Sequence, residues 1–162
     1  MLLNFDPKKK YSGILVHPTS LPGGSYCGTF GKSVKDWIKI LSIYKINTWQ
    51  FLPLSPTDSM GSPYSSPSSF ALNPWFLDVD ELINTNYIKE SHQAKNFQLD
   101  AENLNIFQFK AADELSKIIE NLLIDSWELQ SFDKKDQFYR WCKNNSWVND
   151  FSLFMTLKEE FN

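Results

Sequence analysis

The run Gly13-Ile-Leu-Val-His17 is continuously apolar and is stopped by Pro18, the pattern of a strand covered on both faces. Behind Ser33, the apolar residues Val34, Trp37, Ile38 and Leu41 recur at helical spacing. Ser33 can cap that helix, with Asp36 at the reciprocal third position, so the spacing predicts an amphipathic helix over 34–44. Residues 46–52, Ile-Asn-Thr-Trp-Gln-Phe-Leu, then read as a second strand stopped by Pro53. Strand, helix and strand in this order predict a βαβ unit with parallel strands. A third short strand is expected over 75–79, Trp-Phe-Leu-Asp-Val.

The pattern then changes to helices. Leu115, Ile118, Ile119, Leu122 and Leu123 line one face of a helix over about 107–125. Phe138, Trp141 and Cys142 do the same behind an Asp133 cap, and Trp147, Phe151, Phe154 and Met155 repeat the stripe. Aromatic residues at this spacing predict core packing and not a ligand box. Residues 84–105 show no period and read as a loop with at most a turn of helix.

Composition places a boundary in the same region. All six glycines and all eight prolines lie within residues 1–74, where seven lysines face three aspartates. Residues 75–162 carry nine basic and sixteen acidic side chains. The first part therefore needs tight turns and fixed φ values, whereas the second can run as uninterrupted helix. A net charge of -3, with Arg140 the only arginine, gives no footprint for a nucleic-acid backbone. No apolar segment is long enough to span a membrane, and the start Met1-Leu-Leu-Asn-Phe-Asp6-Pro-Lys-Lys-Lys10 has the wrong order for a secretory signal, so a cytoplasmic protein is expected. Cys27 and Cys142 lie far apart without a Cys-x-x-Cys motif or a neighbouring histidine, which predicts two reduced structural thiols and no metal site.

Several residues carry candidate chemistry. Tyr26-Cys-Gly-Thr-Phe-Gly31-Lys32-Ser33 approaches a phosphate loop, but Tyr26 occupies the position of the obligatory first glycine, and nucleotide binding is not expected. Asp78 and Asp80 form the closest carboxylate pair, two apart on one face of a continued strand, as glycosidic-bond cleavage would require. Asp80 before Glu81-Leu-Ile reads better as a helix cap. His17 at a strand end has no nucleophile spaced to use it and reads as a hydrogen-bonded structural histidine. His92, in polar surroundings, reads as a surface residue. The serine-rich stretch 55–69, Ser-Pro-Thr-Asp-Ser-Met-Gly-Ser-Pro-Tyr-Ser-Ser-Pro-Ser-Ser, follows the second strand directly. Binding sites in parallel α/β architectures gather at such strand ends, and hydroxyl groups around one aromatic ring suit a sugar better than a charged ligand. A rigid solvent loop is the competing reading.

Three motifs carry a resemblance. Residues 12–22 (Ser-Gly-Ile-Leu-Val-His-Pro-Thr-Ser-Leu-Pro), residues 49–57 (Trp-Gln-Phe-Leu-Pro-Leu-Ser-Pro-Thr), and Gly61-Ser-Pro-Tyr-Ser65 running on to Ser69-Phe-Ala-Leu-Asn-Pro74 resemble the N-terminal region of the 4-α-glucanotransferases, or amylomaltases. The match is strong over about 11–80, and residues 149–158 resemble a later helix of that family more weakly. The resemblance implies an α/β fold, the N-terminal fragment of a (β/α)8 TIM barrel. Residues 1–80 would form its first βαβ part and 81–162 a helical insertion. It implies a retaining double displacement on α-1,4-glucans or maltooligosaccharides, with no cofactor and no metal. By the same resemblance, Ser62 and Tyr64 line the acceptor side of the cleft as substrate-binding residues and Asn73 supports it. Gly61 and Ser65 depart from the family, which commonly has an acidic residue and a glutamine there.

Family members are far longer, and their catalytic carboxylates fall on strands beyond Asn162, so no catalytic residue is expected in this chain. A separately encoded C-terminal half is then a candidate partner. A non-catalytic glucan-binding or interaction module and a truncated, inactive gene product are the rival readings.

Overall fold

In the computed structural model, residues 10–23, 27–58, 60–89 and 109–161 are described, with side chains from residue 111 in the last segment. Strand β1 (Gly13–Leu15) and strand β2 (Thr48–Gln50) pair in parallel, with Ile14 opposite Trp49. The ladder continues through the Val16 amide, which donates to the Gln50 carbonyl at 3.1 Å. Helix α1 (Lys32–Ile43) joins them, so the expected βαβ unit is present. Alternation turns Trp49 toward α1, where its ring meets Trp37 edge-on at 6.3 Å and its Nε1 donates to the Val16 carbonyl at 2.9 Å. The other face of the strands is open, and Leu15 is 61% exposed. The expectation of a strand covered on both faces is therefore not met among the described residues, because two strands and one helix supply only one covering layer.

The termini of α1 are set by backbone geometry. Gly31, not Ser33, caps its start without a side-chain bond; a Cβ at Gly31 would fall 2.1 Å from the Asp78 carboxylate. Ser33 instead lies buried in the first turn, its Oγ without a partner. At the other end Lys45 takes φ 54°, its amide donates to the Ser42 carbonyl, and Ile46 returns to Leu41 at 2.9 Å. This double closure satisfies the last carbonyls and places Ile46 on the helix's apolar side.

The expected third strand over 75–79 is absent. Pro74–Phe76 forms a single 3₁₀ turn, and helix α2 (Val79–Asn84) follows. The Asn73 side chain accepts from the Trp75 amide, and Asp78 accepts from the Glu81 amide at 2.9 Å. Each cap satisfies an amide that a strand would have offered to a neighbour, and Pro74 has no amide to offer. The cap of α2 is accordingly Asp78 and not Asp80.

Helix α3 (Phe109–Trp127) is close to its expected position. Its Ala112 packs with Cys27 and Trp75, and Asp113 accepts from Trp75 Nε1 at 2.8 Å. Helix α4 (Phe132–Asn144) is capped by Ser131, two residues before the expected Asp133, and helix α5 (Trp147–Phe161) follows. The aromatic stripes of α4 and α5 pack on each other and on Trp127, but no residue of either helix is fully buried. Trp141 and Phe154 remain about half exposed. The expected core packing is thus only half realised, since no further layer covers these faces among the described residues. Of the expected loop over 84–105, α2 and a turn reach Lys89, and the remainder lies outside the described residues.

Candidate functional site

Two loops follow the strands on the same side of the unit. The loop after β2 is closed at its base, where the Asn73 amide donates to the Leu54 carbonyl at 2.8 Å. Asn73 is buried, and its side chain is spent on the Trp75 amide. Asp58 organises the tip: one carboxylate oxygen accepts the Met60 amide at 2.9 Å and the Ser62 amide at 2.8 Å. Two backbone bonds, Gly61 to Asp58 at 3.0 Å and Asp58 to Ser62 at 3.2 Å, close the same turn. Gly61 has φ 78°, a left-handed conformation open to glycine without steric cost.

Ser62 then caps a 3₁₀ turn, Pro63–Ser65, by accepting from the Tyr64 amide at 3.3 Å. Tyr64 stands out from this turn and is 73% exposed. Ser66 and Ser68 spend their hydroxyls within the loop: Ser66 donates to the Ser68 carbonyl, and Ser68 accepts from the Phe70 and Ala71 amides. Much of the serine content, Ser62 included, therefore builds the loop, and Met60, Tyr64 and Phe70 are among its exposed large side chains. Phe70 stacks on Trp147 at 5.8 Å, bringing the loop against the start of α5.

The loop after β1 is tied to the first by Asp78. Its second carboxylate oxygen accepts from Thr29 Oγ1, and the Phe30 amide donates to the Phe76 carbonyl at 2.8 Å under a stacked ring pair. Both Asp78 oxygens are thus occupied by structural donors, while Asp80 lies exposed in the first turn of α2. The Asp78 carboxylate also fills the space beside Gly31, so the start of α1 presents an anion where a phosphate would have to sit.

His17 Nδ1 pairs with Thr19 Oγ1 at 2.7 Å, as a structural histidine should, while Nε2 is buried without a hydrogen-bond partner. Burial holds its pKa below the ordinary value, against a smaller opposing effect of the Pro53 carbonyl. The buried Cys27 thiol is pushed up to about 11 by desolvation and faces the Trp75 carbonyl. Both cysteines are free, as expected. His92 lies outside the described residues. Among the described residues no cluster of side chains could hold a metal ion, and no helix is long and apolar enough to cross a membrane. An open groove of about 560 Å³ lies elsewhere, between the end of α2 and the end of α3, lined by Tyr87, Lys89, Ser126 and Gln130.

Sequence reasoning picked out Ser62, Tyr64 and Asn73 but missed Asp58 and Thr29, the two residues that hold the loops in place. Asp58 carried a signal, an aspartate three residues before a glycine, which is a turn pattern. Thr29 carried none, because its partner is 49 residues away.

The family model described as 4-alpha-glucanotransferase matches residues 16–162. A 4-alpha-glucanotransferase of Streptococcus pneumoniae is 34% identical over 157 residues, covering 95% of this chain and 30% of the relative. That of Clostridium butyricum is 36% identical over 154 residues, covering 91% and 29%. Among solved structures, an amylomaltase from Streptococcus agalactiae in complex with acarbose superposes with a TM-score of 0.83 at 30% identity, over 94% of this chain and 30% of that one. The chain spans about 30% of the length of these relatives. With its motifs, its βαβ unit and a match that runs through the helical segment, this chain belongs to the 4-alpha-glucanotransferase family.

Proposed function

We propose that this chain forms the opening of a cytoplasmic 4-α-glucanotransferase and supplies one edge of its α-1,4-glucan cleft. In this reading residues 1–80 start a (β/α)8 barrel, and residues 81–162 are a helical insertion. The reaction is a retaining transfer. A carboxylate attacks the anomeric carbon while an acid protonates the departing 4-oxygen, and a second glucan's 4-hydroxyl then displaces the enzyme carboxylate. Neither acidic group belongs to this chain, since its nearest candidates, Asp78 and Asp80, are a structural latch and an exposed helix residue. They come from the remainder of the family's length, carried on the same or a separate polypeptide.

The chain's own part is to hold the acceptor. Tyr64 offers an exposed ring for the apolar face of a sugar. Ser62, whose Oγ already accepts from the Tyr64 amide, keeps its hydroxyl proton to donate to a sugar oxygen. Asn73 supports both by pinning the loop base. The observation that carries the reading is the family match across residues 16–162, together with the likeness at TM-score 0.83 to an amylomaltase.

Incubating the purified chain with maltotriose tests it. No glucose or longer oligomer should form with the chain alone, and transfer should occur once the remaining part of the family's length is supplied. Disproportionation by the chain alone, above a heat-treated control, would defeat the assignment of the chemistry to residues outside it.

A further inference from the structure

We infer that Asp58 is a positioning residue that sets the pose of the glucan-contacting pair Ser62 and Tyr64. This rests on the reading above and names the residue on which that edge of the cleft depends. One oxygen of the Asp58 carboxylate receives the Met60 and Ser62 amides at 2.9 and 2.8 Å.

The consequences run outward along the chain. The Ser62 amide is held by Asp58, so the Ser62 peptide plane is fixed. Ser62 Oγ in turn accepts the Tyr64 amide, and Pro63 between them locks φ near -65°. The backbone of three successive residues, Ser62 to Tyr64, is therefore tied to one carboxylate. The backbone closes this turn with two bonds, Gly61 to Asp58 at 3.0 Å and Asp58 to Ser62 at 3.2 Å, and the Asp58 carboxylate adds two more at 2.9 and 2.8 Å. A charged acceptor bonded to two amides is the stronger restraint.

The turn also accounts for Gly61. The Gly61 amide closes a four-residue turn on the Asp58 carbonyl, and the left-handed φ of 78° at Gly61 lets Ser62 pair back with Asp58. Tight turns favour aspartate at the first position and glycine at the fourth, as Asp58 and Gly61 stand here. An acidic side chain at position 61 would be strained there, so the carboxylate that orders this loop comes from position 58.

Asp58→Ala and Asp58→Asn, made in a protein joining this region to the rest of the family's length, separate this from a general stabilising role. Asparagine keeps an oxygen that can receive both amides, whereas alanine keeps neither bond. In Asp58→Ala, hydrogen exchange at the Met60 and Ser62 amides should quicken about tenfold. Shifts of the Ser62 and Tyr64 amides on adding maltoheptaose should fall by a similar factor, or need correspondingly more sugar. Asp58→Asn should restore both readouts most of the way, and the helical circular dichroism of both variants should match the parent. Unchanged exchange in Asp58→Ala overturns the proposal. Faster exchange with an unchanged maltoheptaose response overturns the positioning role and leaves Asp58 as a turn former only. If the parent chain gives no sugar-dependent shift at all, the glucan reading of this edge fails, and the exchange arm still decides whether Asp58 orders the loop.

Discussion

At the scale of single residues, Tyr64 shows how a loop separates presentation from support. Its ring lies in solvent, while its amide is taken by Ser62 and its neighbours carry the loop's internal bonds. Removing the ring should leave the fold alone and weaken sugar contact. In a protein joining this region to the rest of the family's length, Tyr64→Ala should cost about 1–3 kcal/mol of acceptor binding. Transfer kinetics against acceptor concentration measure this, with thermal denaturation as the control. Unaltered kinetics, or a variant that melts early, would favour the rigid-loop reading of 55–69. Thr29 and Asp58 act the opposite way: neither presents anything, and both fix the backbone that does.

At the scale of elements, Asp78 is where four pieces of structure meet. It caps α2, receives Thr29 from the loop after β1, lies against Gly31 at the start of α1, and follows directly on the 3₁₀ turn that carries Trp75. Replacing it with alanine frees an amide at the start of α2 and unties Thr29. An N-cap loss of this kind costs on the order of 1 kcal/mol. Amide exchange should therefore quicken at Glu81 and also at Phe30, which is bonded to Phe76 across the same junction. Were Asp78 only a helix cap, the change would stop at Glu81, and that outcome would break the argument that it joins the two loops. The cap also explains why 75–79 does not become a strand. Asn73 and Asp78, five residues apart, each turn the backbone back on itself before a ladder can begin.

For the whole molecule, the decisive feature is the amount of apolar surface without cover among the described residues. Leu15 on the sheet and Ile43 at the end of α1 are strongly exposed, and Phe138, Trp141 and Phe154 on the last helices are about half exposed. Among the described residues the two parallel strands are covered on one face only, whereas parallel strands are almost always buried on both faces. The purified chain should accordingly bind the dye ANS and unfold without one sharp transition. A monomer with a single cooperative melt and no dye binding would show that these faces need no partner.

Local structure was largely legible in the sequence. The runs at 13–17 and 46–52, the helical spacing of Val34 to Leu41, and the stripes of the last three helices each reflect one element's own period, which a sequence displays directly. What the tertiary structure decided was everything that depends on a distant partner. The start of α1 falls at Gly31 and not Ser33, and Asp78, 47 residues on, fills the space beside Gly31 that a side chain would need. The Asp78 and Asp80 pair dissolved because Thr29, 49 residues away, takes one oxygen and a helix amide the other. The aromatic stripes of α4 and α5 were identified correctly as apolar faces, yet their burial was not a property of their spacing. Periodicity says which side of a helix seeks cover; whether cover exists depends on the layers packed against it.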